Sequence, residues 1–241
     1  QMSYNSTLNS DDNHIISANE GSALAIAAGY NLATGKIPLV YLQNSGLGNL
    51  INPLLSLVDK KVYSIPMVIM IGWRGEPNVH DEPQHVKQGE VMLSMLDSMG
   101  YRYAVLSEEE DDSSYQEKLK LLLAQSMQQS EPVFLVIKRN VFSKYKLQKD
   151  VVSNSDLTRE DAIAEILNSF NDDEIFVTTT GMISREVYET RVKTNKGHFR
   201  DFLTVGSMGH ASQIALGVSL QTQRNVICID GDGAFLMHMG G

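Results

Sequence analysis

Five short segments of this chain set acids, hydroxyls or glycines where an apolar strand gives way to a helical pattern. Glu20 opens the first, Glu20–Lys36, whose Ala23, Ala27 and Ala28 let a helix pack closely on something flat. A carboxylate there either complements the helix dipole or is offered to a ligand. Asn44-Ser45-Gly46-Leu47-Gly48-Asn49 follows an apolar run. Glycines at such a point let backbone approach a ligand and open a helix, although turns of this kind serve every α/β fold. Thr180-Gly181-Met182 and Gly206-Ser207-Met208-Gly209-His210 hold the same position, each either a phosphate-cradling nest or a tight turn. The fifth is Asp230-Gly231-Asp232-Gly233-Ala234-Phe235. Asp232 between glycines at a strand end can hold a hard cation such as Mg2+, and the cation a diphosphate. The other reading is a plain Asp-Gly turn; the later acidic ligands of an EF-hand are missing.

These segments need strands and helices to hold them, and the pattern supplies both. Strands are expected at Pro38–Leu42, Pro66–Ile71, Tyr101–Leu106 and Pro132–Ile137. Helices are expected near Glu20–Ala33, Asn49–Lys61, Gln84–Met99 and Ser113–Gln129, the last with Leu119, Leu122, Leu123 and Met127 at helical spacing. Alternation of this kind predicts an α/β domain with a mainly parallel sheet. The stretch 141–155 is polar and aperiodic and reads as a linker between a domain over 1–140 and a second over 156–241. In the second half Thr158 is an N-cap with Asp161 at N3, an acidic capping box. Strands follow at Glu174–Thr178, Phe202–Val205 and Asn225–Ile229, with helices from Met182 and His210.

Composition narrows the function classes. With 42% hydrophobic and 20% charged residues over 241 positions, the chain has a globular make-up. No run reaches the roughly 18 apolar residues of a membrane span, and no secretory signal is visible, so no membrane role is expected. Cys228 is the single cysteine, which excludes an internal disulfide framework and suits a reducing cytoplasm. A net charge of −9 provides no global attraction for nucleic acid. The acidic run Glu108–Asp112 reads as a solvated loop before a helix.

Taken together, the segments resemble the thiamine-diphosphate-dependent enzymes. Glu20–Lys36 is similar to the catalytic-glutamate helix of the pyrimidine-binding domain, Asn44–Asn49 to that group's Ser-Gly-Pro-Gly turn with Leu47 in place of proline, and Gly231-Asp232-Gly233 to the opening of its diphosphate motif. Within the group, Gly72-Trp73-Arg74-Gly75-Glu76 through His85, Val205–Gly217 and Gly231–Gly240 resemble the phosphonopyruvate decarboxylases, with the sulfopyruvate decarboxylases near relatives. The resemblance implies two doubly wound α/β domains: a pyrimidine-binding domain, then a diphosphate-binding domain that is C-terminally incomplete. The asparagine pair that closes the family's diphosphate motif is missing, so the chain as it stands is expected to bind cofactor poorly.

The resemblance also implies a chemistry. Glu20 would hydrogen-bond the pyrimidine nitrogen of thiamine diphosphate, favouring the tautomer that forms the thiazolium ylid. The ylid attacks phosphonopyruvate, CO2 leaves, and protonation releases phosphonoacetaldehyde. Met208 matches the bulky residue that bends the cofactor, Gly206 offers its carbonyl to the amino group, and Asp232 would bind Mg2+. Thr180, Ser207, Gly231 and Gly233 are expected to contact the cofactor too. An anionic substrate tail needs cationic or N–H partners, and Asn44, Arg74, His80 and His85 are the candidates, with Lys87 close by; Asp81 is considered for proton transfer without being assigned it. The cofactor in this group lies between subunits, so a homodimer or larger homo-oligomer is implied, with Glu20 and Asp232 of one site on different chains. The alternatives are a sulfopyruvate decarboxylase, a carboligase joining two 2-oxo acids, and a cofactor-free scaffold relative or inactive fragment.

Overall fold

The computed structural model describes residues 14–144, 156–171 and 173–240. Most of the linker expected over 141–155 lies outside the described residues. The chain divides into two compact units, Gln1–Gln148 and Lys149–Gly241.

The first unit is built on four strands, β1 (Leu39–Gln43), β2 (Met67–Gly72), β3 (Tyr103–Leu106) and β4 (Pro132–Ile137), all parallel and ordered β1-β2-β4-β3. Parallel strands buried on both faces read as continuous apolar runs, as Met67–Ile71 and Pro132–Ile137 do. Alternation sends their side chains to opposite faces. Met67, Ile69, Ile71, Phe134 and Val136 pack with Leu24, Ala27 and Ala28 of α1 (Glu20–Thr34), Leu50 of α2 (Leu47–Pro53) and Met92 and Leu96 of α3 (Pro83–Met99). Val68, Val133, Leu135 and Ile137 pack on the other face with Leu122 of α4 (Asp112–Gln129). The sheet is therefore doubly wound.

The helix expected over Asn49–Lys61 takes a different form. It starts at Leu47, runs as α2 to Pro53, widens into one π-helical stretch over Leu54–Val58 and stops at Asp59. Pro53 has no N–H to give the carbonyl of Asn49, and its ring crowds that carbonyl, so the regular ladder cannot continue. The expected strand Tyr101–Leu106 begins at Tyr103, because the N–H of Tyr101 closes the end of α3 on the Leu96 carbonyl at 3.1 Å.

The second unit carries α5 (Arg159–Asn168), β5 (Ile175–Thr178), α6 (Met182–Lys193), β6 (Asp201–Leu203), α7 (Ala211–Ser219), β7 (Val226–Ile229) and α8 (Asp232–Met237). Its strands are parallel in the order β6-β5-β7. Phe176 packs with Ile163, Leu167 and Val187 on one face, and Val177 with Ala211 and Ala215 on the other. The capping box of α5 forms as its spacing predicts: Asp161 N–H donates to Thr158 Oγ1 at 3.1 Å and Thr158 N–H to Asp161 Oδ2 at 3.2 Å. A buried Arg191–Asp201 pair, with two bonds of 3.0 Å, ties α6 to β6. No helix among the described residues is long and apolar enough to cross a membrane.

Candidate functional site

In an open parallel sheet, ligand chemistry gathers at the carboxyl ends of the strands. Four of the segments picked out by residue type lie there: Asn44–Asn49 after β1, Thr180–Met182 after β5, Gly206–His210 after β6 and Asp230–Phe235 after β7. Glu20 comes from the first turn of α1.

Glu20 is the first residue of α1. Asn19 Oδ1, which accepts from the Ser22 N–H at 2.9 Å, supplies the N-cap, so the Glu20 carboxylate is free of that duty. It is held instead by Asn49, whose Nδ2 donates to Glu20 Oε2 at 2.9 Å. The other oxygen lies against backbone at Gly46: a Cβ there would stand 2.2 Å from Glu20 Oε1. Gly21 likewise lets α1 close on α2, since its Cβ would come within 3.0 Å of the Asn49 carbonyl. The glutamate is thus set by Asn19, Gly21, Gly46 and Asn49, the last of which the sequence offered only as the end of a glycine-bearing turn.

The loop after β2 is a built structure. Arg74 donates from Nε and Nη2 to the two oxygens of Asp81, which also accepts the backbone N–H groups of Gly75 and Glu82, each at 2.8 Å. The guanidinium fork and those N–H groups hold the Asp81 carboxyl well below the usual carboxylate range. Asp81 is therefore an ionised clamp and a poor proton carrier at neutral pH. Asn44 is buried, its Nδ2 donating to the Arg74 carbonyl at 2.8 Å and its Oδ1 accepting the Arg74 N–H at 2.9 Å. Both ends of the amide are committed to holding the loop. The loop is seated on α3 by two glycines: a Cβ at Gly75 or at Gly89 would lie 1.9 Å from the His85 or Gly75 carbonyl respectively.

His85 and Gln84, on the first turn of α3, keep Nδ1 and Oε1 buried with no hydrogen-bond partner among the described residues. Burial, reinforced by the nearby Arg74 charge, pushes the His85 imidazole below its ordinary range, so the neutral ring prevails. His80 is exposed and lines a cleft of about 580 Å³ together with Arg74, Trp73, Tyr41, Lys138 and Arg139. Lys138 pairs with Glu76 at 2.5 Å. Arg139, passed over in the sequence, brings a further cation to the same edge. Lys87 instead makes a local pair with Glu90 at 2.9 Å.

In the second unit the hydroxyls converge. Thr180 Oγ1 donates to the Val205 carbonyl at 2.5 Å, tying the end of β5 to the end of β6. Ser184 Oγ lies 2.6 Å from Thr178 Oγ1, and Thr204 Oγ1 donates to the Thr178 carbonyl. Thr179 Oγ1 is buried and has no partner among the described residues. It stands beside the head of α6, whose N-cap, Gly181 at φ 98°, offers no side chain to the first-turn N–H groups. Gly206 and Ser207 begin the next turn, and Met208 stands 43% exposed, outside both cores of this unit. Gly231 follows Asp230, whose Oδ1 accepts the Gly231 N–H at 2.9 Å. Asp232 is exposed at the first position of α8, and a Cβ at Gly233 would meet nothing within 4 Å. No group of three or more His, Cys, Asp or Glu side chains that could hold a metal ion occurs among the described residues.

Two family descriptions match the chain: "Thiamine pyrophosphate enzyme, N-terminal TPP binding domain" over residues 2–101, and "Thiamine pyrophosphate enzyme, C-terminal TPP binding domain" over residues 179–241. Phosphonopyruvate decarboxylase of Streptomyces viridochromogenes is 34% identical over 234 residues, 92% of this chain and 57% of that protein. Sulfopyruvate decarboxylase of Methanosarcina acetivorans is 31% identical over 244 residues, 91% of this chain and 59% of that protein. The chain thus spans a little over half the length of these curated relatives. Among solved structures, benzoylformate decarboxylase from Polynucleobacter necessarius matches with a TM-score of 0.43 and 20% identity, over 70% of this chain and 32% of that chain.

Proposed function

Because this chain belongs to the thiamine pyrophosphate enzymes, we propose that it catalyses the non-oxidative decarboxylation of phosphonopyruvate to phosphonoacetaldehyde and CO2, with thiamine diphosphate and Mg2+ as cofactors. The observation that carries the reading is Glu20, a carboxylate relieved of capping by Asn19, fixed by Asn49, and set over a backbone with no room for a Cβ. A residue needed only to cap α1 has no use for that support.

The residues present fit the cofactor. The orphan Thr179 hydroxyl beside the uncapped head of α6 suits a diphosphate, which helix N–H groups and hydroxyls favour. Asp232 is an exposed carboxylate at the first position of α8 and would supply one oxygen ligand to Mg2+. When bound, thiamine diphosphate supplies the electron sink for loss of CO2. With the cofactor bound, the protein would bind, orient and move protons: Glu20 would share a proton with the pyrimidine ring, the Gly206 carbonyl would accept from its amino group, and the exposed Met208 would support it from the side. Thr180, Ser207, Gly231 and Gly233 shape the surrounding backbone. His80 and Arg139 line the cleft and are the groups proposed to meet the anionic tail, while Arg74, paired with Asp81, and Asn44 act by holding the loop and His85 stands behind it on α3.

Sulfopyruvate is the second reading, favoured by the 31% identity to an enzyme named for it. Both acids carry an anionic head on a 2-oxo frame, so Arg139 and His80 at the cleft can serve either. A homodimer or larger assembly forms part of the proposal. It is supported by the outward face of α1, where Ile26 and Tyr30 are 43% and 38% exposed. The lone thiol of Cys228 suits a reducing cytoplasm.

The test is CO2 release from phosphonopyruvate and from sulfopyruvate, with and without thiamine diphosphate and Mg2+. Glu20→Gln should abolish turnover in a protein that still folds, and unchanged turnover in that variant would refute the assignment.

A further inference from the structure

The turn that carries Met208 is held from behind by a residue to which nothing above gives a role. His238 follows the last residue of α8. Its ring lies 4.5 Å from that of His210, tilted by 46°. A Cβ at Gly209 would stand 2.6 Å from His238 Cδ2 and 3.1 Å from the Ala234 carbonyl, so only glycine lets α8 and the imidazole come this close. Met208 is flanked by two left-handed residues, Ser207 at φ 52° and Gly209 at φ 90°. A serine persists in that region only where its surroundings over-determine it. Here the surroundings are His210, whose backbone N–H donates to the Ser207 carbonyl at 3.2 Å and whose Nδ1 lies 3.3 Å from the same oxygen. The chain of contact runs from the His238 ring to the His210 ring, to Ser207, to Met208.

His238 Nε2 is buried and has no hydrogen-bond partner among the described residues. That nitrogen does not seat the ring; packing against Gly209 and His210 does.

We infer that His238 is a positioning residue that sets the Gly206–His210 turn and links the segment bearing Asp232 to the turn bearing Met208. The inference rests on the functional reading above, in which that turn supports thiamine diphosphate from the side. It assigns His238 no contact with cofactor or substrate.

The test uses the holoenzyme and two readouts that do not need turnover. Cofactor affinity is followed by circular dichroism, and proton-to-deuterium exchange at C2 of saturating thiamine diphosphate by NMR. His238→Ala should still bind cofactor but slow the exchange on the order of tenfold to a hundredfold, the scale set by small misplacement at a reacting centre. His238→Phe keeps a ring of similar size without the nitrogens and should restore exchange to within about threefold of the unmodified rate, as volume-conserving swaps are tolerated best. Exchange in His238→Ala equal to the unmodified rate would overturn the inference. So would a His238→Phe as slow as His238→Ala, because the nitrogen and not the packing would then matter. If His238→Ala does not fold, His210→Ala, which removes the other ring, is judged by the same slowing. An unmodified full-length protein that neither binds cofactor nor shows exchange would sink the functional reading, and this inference with it.

Discussion

Gly46→Ala separates two things a glycine can do. Gly46 sits at φ −84° and ψ −5°, ordinary right-handed backbone that alanine adopts freely. Alanine there gains about 0.4–1 kcal/mol, because it narrows the unfolded ensemble. The added Cβ, however, would stand 2.2 Å from Glu20 Oε1, 2.3 Å from Cδ and 2.4 Å from Cγ. Carbon and oxygen rest comfortably only beyond about 3.4 Å, so the carboxylate must withdraw by about 1 Å. It is free to do so, since the side chain is flexible and only partly buried. Withdrawal breaks the 2.9 Å bond from Asn49, a net loss of about 0.5–1.5 kcal/mol. The two terms nearly cancel, so the melting temperature should stay within about 4 °C of the parent. Turnover should fall by about a hundredfold, since a 1 Å misplacement at a reacting centre costs that much. Asn49→Ala, which removes the bond without the overlap, should fall between the two. Initial rates of CO2 release with saturating thiamine diphosphate and Mg2+, measured beside thermal melts, decide it. A folded Gly46→Ala that turns over within twofold of the parent refutes the claim that this glycine exists to make room for Glu20.

Other consequences can be checked in the same preparations. Asp81→Asn should cost about 1–3 kcal/mol in urea unfolding, because it removes the charge that Arg74 and two N–H groups hold. The folded Asp81 carboxyl is depressed below its unfolded value of about 3.9, so its stabilisation is complete above that value and is lost as pH falls toward the folded one. Urea midpoints should therefore drop less steeply below about pH 4 in Asp81→Asn than in the parent; equal slopes would remove the clamp from the account. His85 is depressed too, so the parent should also lose stability as pH falls below about 6.5, and His85→Gln should lack that step. Gly89→Ala forces a Cβ to 1.9 Å from the Gly75 carbonyl and 2.4 Å from that of Arg74. Neither is the end of a flexible side chain, so stability should drop by about 1–3 kcal/mol or more, and a neutral result by thermal melt would show that the loop does not sit on α3.

The architecture was legible wherever it depended on period and local chemistry. Buried strands such as Met67–Ile71 read as apolar runs, and the Thr158–Asp161 box marked the start of α5 from two residues. The second helix was legible as a helix, but apolar spacing through Leu50, Leu54 and Val58 does not tell the α-helical stretch from the π-helical one that follows Pro53. The polar residues of the candidate site divide in the same way. Residue type brought Asn44 and Arg74 forward as groups for a substrate tail, yet each is occupied by a partner distant in sequence or folded back within its own loop: Asn44 by the Arg74 backbone, Arg74 by Asp81. The roles of Asn49, Thr179 and His238 were not legible, for the converse reason. Nothing in their spacing announces a carboxylate to hold, an orphaned hydroxyl or a ring to lean on, because those relations exist only after the sheets form.

The glycines make this boundary physical. Gly35 closes α1 at φ 69°, a demand made by its own backbone and visible in a sequence as a helix stop. Gly46 and Gly89 make no such demand of their backbone. What each requires is the absence of an atom opposite a particular neighbour: the Glu20 carboxylate in one case, the Gly75 and Arg74 carbonyls in the other. Gly209 combines both, being left-handed and pressed against His238. A site assembled at strand ends gathers glycines of the second kind, since rigid side chains and ligands can share one edge of a sheet only where backbone yields the volume. On the proposed function, the glycine whose replacement should cost least stability and most activity is therefore the one that stands opposite the proposed catalytic carboxylate, Gly46 against Glu20.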